Sequence, residues 1–299
     1  MNPPTATSPK EFRLGLVLGV AAYATWGVVP LFWGLLRAVA PIEILAHRAV
    51  WGLVCFVALA AATGQLGAVR AGFRDRRIVL TLLGTGALLA TNWGLFIWAT
   101  LSGHLLQASL GYFINPLVSV ALGVGFLGEK LRRATQLAIG LAAVGVVWLA
   151  AGVGVPWVAL ALAASFGTYG LVRKVAPVPA LVGSTIETAL MAPIALGYLA
   201  LLYARGAGVL GHADLRLHLL LVAGGVITAV PLVWFTSSAR RLPLSVVGLL
   251  QYLSPTGQML TAVLVFDESL PTRKLVAFAF IWAALAIFSI DLVRRSRPS

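Results

Sequence analysis

The sequence predicts an all-α membrane protein with ten transmembrane helices, built as two five-helix repeats inserted in opposite senses. Three observations carry this. Of 299 residues, 60% are hydrophobic and only 10% are charged, against roughly a quarter charged in soluble domains. The apolar residues fall in ten runs of bilayer-spanning length. A motif in the first half of the chain recurs in the second.

A hydrocarbon core about 30 Å thick takes about 20 apolar helical residues to cross. The runs are 14–36, 42–62, 78–101, 105–127, 131–151, 155–172, 180–203, 215–238, 244–266 and 275–293, here spans 1 to 10. None alternates polar and apolar residues as the strands of a membrane barrel do. Ten buried helices of a soluble protein would need a polar shell that this chain lacks. The first run follows Lys10 and Arg13 but is too long for a signal-peptide core, so it reads as a retained span. The expected organisation is a cytoplasmic tail at 1–13, repeats at 14–151 and 155–293, and a basic tail at 294–299.

Ten spans divide the loops between two sides. Lys10, Arg13, Arg70, Arg74, Arg76, Arg77, Lys130, Arg132, Arg133, Arg173, Lys174, Arg240, Arg241, Arg294, Arg295 and Arg297 fall on one side. Arg37, Arg205, Arg216, Arg273 and Lys274 fall on the other, and Arg48 lies inside span 2. The positive-inside rule then puts both termini in the cytoplasm of a bacterial inner membrane. The net charge of +13 follows from orientation. No basic face interleaved with polar residues suggests a nucleic-acid partner.

Tyr112-Phe113-Ile114-Asn115-Pro116 is followed thirteen residues after the proline by Glu129. Gln251-Tyr252-Leu253-Ser254-Pro255 is followed at the same interval by Glu268. Arg37-Ala38-Val39-Ala40-Pro41 resembles Arg173-Lys174-Val175-Ala176-Pro177, and Trp26-Gly27 resembles Phe166-Gly167. Spans 1–5 thus correspond to spans 6–10. An odd number of spans per half forces the halves to insert oppositely, an architecture of secondary transporters with the substrate near the midplane.

The residues also resemble a known family. Two five-helix repeats in about 300 residues resemble the EamA fold of the drug/metabolite transporter superfamily. The strings 43–48 (Glu-Ile-Leu-Ala-His-Arg), 92–98 (Asn-Trp-Gly-Leu-Phe-Ile-Trp), 108–117 with its Gly-Tyr-Phe-Ile-Asn-Pro, 241–245 (Arg-Leu-Pro-Leu-Ser) and 248–252 (Gly-Leu-Leu-Gln-Tyr) are similar to its RarD branch. The resemblance covers nearly the whole chain. It implies a carrier with both termini inside and a central cavity lined mainly by spans 1, 3, 4, 6, 8 and 9. RarD-like proteins are named for an association with chloramphenicol sensitivity, which does not fix a physiological substrate.

Polar residues on apolar helices mark candidate pathway positions. On span 4, Gln107, Gly111, Asn115, Ser119 and Gly123 form a slowly turning stripe, and on span 9 so do Gln251, Ser254, Gln258 and Thr261. Tyr23, Trp26, Pro30 and Trp33 share a face of span 1, and Thr228, Pro231, Phe235 and Ser238 share one of span 8. Carboxamides bring donors and acceptors that lipid does not satisfy. The cavity candidates are Trp26, Asn92, Trp93, Tyr112, Asn115, Gln251, Tyr252 and Gln258, the aromatics as stacking surfaces for a flat or apolar solute. Trp33 and Trp157, near span ends, suit the interfacial belt instead. Pro116 and Pro255, at matched positions, are hinge candidates because each removes a backbone donor.

Ionisable residues within spans are few, and His47, Arg48 and Glu187 are candidates for charge or coupling roles. Arg48 and Glu187 are expected either to pair, or to leave Glu187 carrying a coupling proton, since low dielectric disfavours a charged carboxylate. Gly15 and Gly19 form a Gly-x-x-x-Gly that chance alone supplies in a chain with 31 glycines. No phosphate-binding loop, nucleophile elbow or zinc-protease motif occurs. The grouping of His212, Asp214 and His218 reads as a solvated loop. No cofactor or metal is expected, and Cys55 reads as a small packing residue. The function expected is export of a small metabolite or amphipathic solute by alternating access. The rivals are a membrane-embedded enzyme acting on lipid, which wants a nucleophile–base pair in the spans, and a receptor, which wants a soluble output domain.

Overall fold

A computed structural model describes residues 8–101, 105–151, 156–209, 214–265 and 271–296. Every regular element among them is an α-helix. In chain order they are α1 (Pro9–Gly34), α2 (Pro41–Ala62), α3 (Leu66–Arg74), α4 (Arg76–Leu101), α5 (Leu105–Leu127), α6 (Arg133–Ala150), α7 (Trp157–Val175), α8 (Ala180–Ala204), α9 (Leu215–Arg241), α10 (Leu244–Leu250), α11 (Leu253–Val265) and α12 (Thr272–Ser296).

Helix ends follow from local chemistry. Pro9 and Pro41 open α1 and α2, where a missing N–H is harmless. Ser8 accepts from Glu11 N at 3.3 Å, and Asp214 from Leu217 N at 2.9 Å, satisfying donors that a first turn leaves free. Asp75 does the same for Arg77 N and Ile78 N, and so caps the start of α4.

Nine helices among the described residues are long and apolar enough to cross a membrane. The tenth crossing is α10 with α11, a stretch that hydropathy alone predicts as one helix over 244–266. It is interrupted at Gln251 and Tyr252, where Ser254 N bonds back to Gln251 O at 3.1 Å. The chain is thus an all-helical, ten-span membrane protein. Its outside is apolar: Phe126, Leu264 and Ile194 are 75%, 73% and 80% exposed. Polar side chains such as Asn115, Ser119, Thr236 and Gln251 lie inside. That distribution suits lipid as the solvent. The short α3 lies in the loop between spans 2 and 3, presenting Arg70 and Arg74 while Val69 and Gly72 are buried and α8 packs beside it.

The inverted duplication is visible in which helices touch. α1 packs on α9 and α11, while its counterpart α7 packs on α4 and α5. α2 packs on α9, while its counterpart α8 packs on α4. Three further interfaces, α2 with α8, α6 with α12 and α5 with α10, each pair an element with its own counterpart. Each half therefore completes the other, and the midline between them holds the cavity. Glycines allow the closest crossings. A Cβ on Gly257 would lie 2.8 Å from the Gly27 Cα, backbone against backbone. Gly15 and Gly19, expected as chance, are buried against α9: a Cβ would lie 2.9 Å from the Arg241 Cβ and 2.7 Å from the Ser238 Oγ respectively.

Candidate functional site

A cavity of about 290 Å³ lies between the two halves. That is near the small end of the range for small-molecule sites, about 300–1,000 Å³. From α1 come Tyr23, Trp26, Pro30 and Trp33; from α2, Arg48; from α4, Asn92, Trp93 and Phe96. The far wall has Gly111, Tyr112 and Asn115 of α5, Leu162 and Phe166 of α7, and Thr228 and Leu232 of α9. Gln251, Ser254, Pro255 and Gln258 come from the interrupted span.

Seven of the eight sequence-derived cavity candidates meet here: Trp26, Asn92, Trp93, Tyr112, Asn115, Gln251 and Gln258. Asn92 is oriented by donating from Nδ2 to Leu162 O at 2.9 Å and Ser165 Oγ at 3.0 Å. Gln251 donates from Nε2 to Ser119 Oγ at 2.9 Å, and Gln258 to Trp26 O and Ser254 Oγ, both at 3.2 Å. Each amide is held by its N–H groups. The Oδ1 of Asn115 and the Oε1 of Gln251 have no hydrogen-bond partner among the described residues.

The eighth candidate, Tyr252, is a correction. It is fully buried against α5 and donates to Phe113 O at 3.2 Å. A continuous helix would have carried the polar face of this span on regularly. The break at 251–252 turns Gln251 to the cavity and Tyr252 away from it. The break also revises the hinge pair. Pro116 lies within α5, its carbonyl facing Gly248 of α10, whereas Pro255 is the third residue of α11, where it disrupts no helical bond upstream of the break. Of the pair, Pro255 alone lines the cavity.

The expected Arg48–Glu187 pair does not form. Arg48 Nε donates to Thr228 Oγ1 at 3.0 Å, and its guanidinium carbon lies 4.8 Å from the Trp33 ring and 5.1 Å from the Trp93 ring. Trp33, which its position near a span end suited to the interfacial belt, therefore lines the cavity. Trp157 is half-exposed beside Trp98, with ring centroids 5.3 Å apart. Glu187 pairs instead with Arg173, Oε2 to Nε at 3.9 Å, and accepts from Tyr169 Oη at 3.3 Å. Arg173, counted from the sequence as a loop cation, is 1% exposed, and its Nη2 donates to Ala180 O and Ser184 Oγ. The tight α7–α8 turn folds it back beneath α8, which spacing along a chain does not reveal. His47 is buried outside the cavity lining, with neither ring nitrogen hydrogen-bonded among the described residues.

The cavity ends on an aromatic floor. Tyr23, Trp26, Phe166, Tyr169 and Phe235 pack edge-on or tilted at 5.3–6.3 Å, and Tyr169 lies stacked on Phe235 at 6.1 Å. Beneath it, polar contacts tie helix ends together, those of Lys174 and Arg240 within the second half and those of Glu129 and Arg241 across the two. Lys174 donates to Ala239 O at 3.0 Å and to Leu242 O, and Arg240 to Ala176 O at 2.6 Å. The Glu129 carboxylate accepts from Leu244 N, Ser245 N and Ser245 Oγ, capping α10. Arg241 pairs with Glu11 at 2.7 Å. Glu129's repeat partner, Glu268, lies outside the described residues, as do His212 and the side chain of Gln107.

Leu162 and Phe166 line the cavity without standing on any of the polar stripes. The signal for Phe166 was present, since it matches Trp26 in the repeat, and a cavity on the symmetry axis recruits both members of such a pair.

The ten-span inverted bundle with a central aromatic and amide-lined cavity is that of a membrane transporter, and the comparisons bear on which kind. The profile of the EamA-like transporter family matches residues 13–151. A RarD protein of Streptomyces exfoliatus is 45% identical over 97% of this chain and 92% of its own length. An uncharacterized transporter of Pseudomonas aeruginosa is 44% identical over 96% and 97%, and the RarD protein of Escherichia coli 43% identical over 96% and 98%. One crystal structure shares the fold at a TM-score of 0.70 and 22% identity, covering 91% of this chain and 96% of that one. The chain is a RarD-like member of the EamA family within the drug/metabolite transporter superfamily.

Proposed function

We propose that this transporter is a secondary carrier that exports a small metabolite or amphipathic solute across the inner membrane, exposing its central cavity alternately to the two sides. The observation that supports this most is the pair of buried acceptors, Asn115 Oδ1 and Gln251 Oε1, left unpartnered in an aromatic cavity where two inverted halves meet. Buried polar atoms are normally satisfied. Here a solute with a hydrogen-bond donor, or the water it displaces, would satisfy them. The two repeats, at 14–151 and 155–293, are the units that move against each other, and both termini face the cytoplasm, in accord with the charge bias. The contacts of Glu129 and Arg241, which join the two halves, then close the cytoplasmic end and must break for the cavity to open inward. The buried ion pair with Arg173 favours a structural role for Glu187 over proton coupling.

The test is flux. Proteoliposomes holding the purified chain are loaded with a metabolite panel and the external medium is followed by mass spectrometry. At least one compound should leave faster than from empty liposomes, and Asn115→Leu should slow it at least tenfold without loss of folded protein. Binding of a panel compound with no flux in either direction would overturn the carrier reading.

A further inference from the structure

Two arginines reach into this bundle in different ways. Arg173 is sealed inside and meets a carboxylate, a backbone carbonyl and a hydroxyl. Arg48 is partly open to the cavity, and among the described residues it bonds to a neutral hydroxyl, Thr228 Oγ1, which itself donates to Gly224 O at 2.7 Å. Among the described residues no carboxylate pairs with it, and the cavity lining holds no Asp, Glu or Lys. A cation within a span is costly, and such residues typically mark a pathway or pair with an anion.

The bonds already made restrict what can complete it. Nε is taken by Thr228, and Trp33 and Trp93 lie against the guanidinium through cation–π contact. The edge formed by Nη1 and Nη2 remains, and its two parallel N–H groups match the two oxygens of a carboxylate. A phosphate monoester would bring nearly two charges, and one guanidinium with no lysine nearby neutralises only one. The walls around this edge are indole and phenyl rings, which suit a flat apolar body.

We infer that Arg48 is the anchor for the carboxylate of a monoanionic solute whose apolar body stacks between the cavity's aromatic side chains. This rests on the carrier reading and narrows it to a substrate class.

The experiment uses the full chain carrying Cys55→Ala and Ser254→Cys, reconstituted in proteoliposomes. A membrane-impermeant maleimide is added from either side, and labelling of the introduced cavity thiol is timed. Phenylacetate and indole-3-acetate are compared as protectants with their amides and with phenethylamine and tryptamine. The acids should protect at concentrations at least tenfold below those of the amides and amines. Arg48→Gln should erase that difference, whereas Arg48→Lys should keep a weaker one. Equal protection by acid and amide, stronger protection by the amines, protection by none, or an acid preference that survives Arg48→Gln would each overturn the assignment. The wild-type arginine comparison decides alone should Arg48→Gln fail to fold. Labelling from only one side under every condition would count against alternating access itself, so the two failures are read separately.

Discussion

At position 187 a carboxylate sits among Arg173 and Tyr169 with almost no exposure. Removing one partner of a buried pair leaves an uncompensated charge, at a cost of roughly 3–5 kcal/mol, while replacing both by apolar groups is often neutral. Glu187→Gln should therefore lower the thermal midpoint of the purified protein clearly, and Arg173→Met with Glu187→Leu should recover most of the loss. A wild-type midpoint for Glu187→Gln together with lost pH-driven transport would restore the coupling role that the sequence left open. A second contrast separates a residue buried behind the cavity from one that lines it. Tyr252→Phe removes one buried hydrogen bond, about 0.5–1.5 kcal/mol, and should cost stability while leaving binding intact. Asn115→Leu should do the reverse, weakening protection of the cavity thiol while the midpoint moves little.

Helices carry the next level of consequence. α1 and α11 touch through Gly27 and Gly257 with no side chain between them to give way. Gly257→Ala should thus destabilise by about 1–3 kcal/mol, the usual cost of overpacking, seen as faster unfolding in detergent. At the other end of that interrupted span, Glu129 caps α10 from the opposite half of the molecule. Hydrogen bonds to a charged acceptor contribute about 1.5–3 kcal/mol each, and 1.4 kcal/mol is a tenfold change in population. Glu129→Ala should accordingly raise labelling of the cavity thiol from the cytoplasmic side at least tenfold. An unchanged rate would mean that the contact is not part of the closure. At this scale the sequence was informative about where helices lie and blind to where one breaks. An apolar run of 23 residues (244–266) reads as continuous, because propensity averages over a window, and the break at Gln251–Tyr252 depends on the local backbone path beside α5.

For the molecule as a whole, two halves inserted oppositely require the same sidedness for both ends. Reporter tags on the N- and C-termini should both read cytoplasmic; tags on opposite faces would refute the ten-span topology. The helix contacts agree with the duplication, since α1 and α7 make matching contacts in exchanged halves. They also explain why the cavity residues were largely legible. Polar and aromatic residues on apolar spans have few reasons to exist except at the midline, so the span 1, 4 and 9 stripes converge there. Arg48 joined them from span 2, which neither the stripes nor the family resemblance had included.

The sequence by itself determined the solvent, the number of spans, the inverted pairing of the halves and most of the polar cavity wall, because hydropathy, charge bias and repeats are properties of the chain read in one dimension. Tertiary structure alone decided the partners of the charged groups: Arg173 with Glu187, Arg48 with Thr228 and two indoles, Glu129 with the start of α10. Those choices depend on distances of a few ångströms between residues up to 180 positions apart, and no periodicity along the chain encodes such a distance.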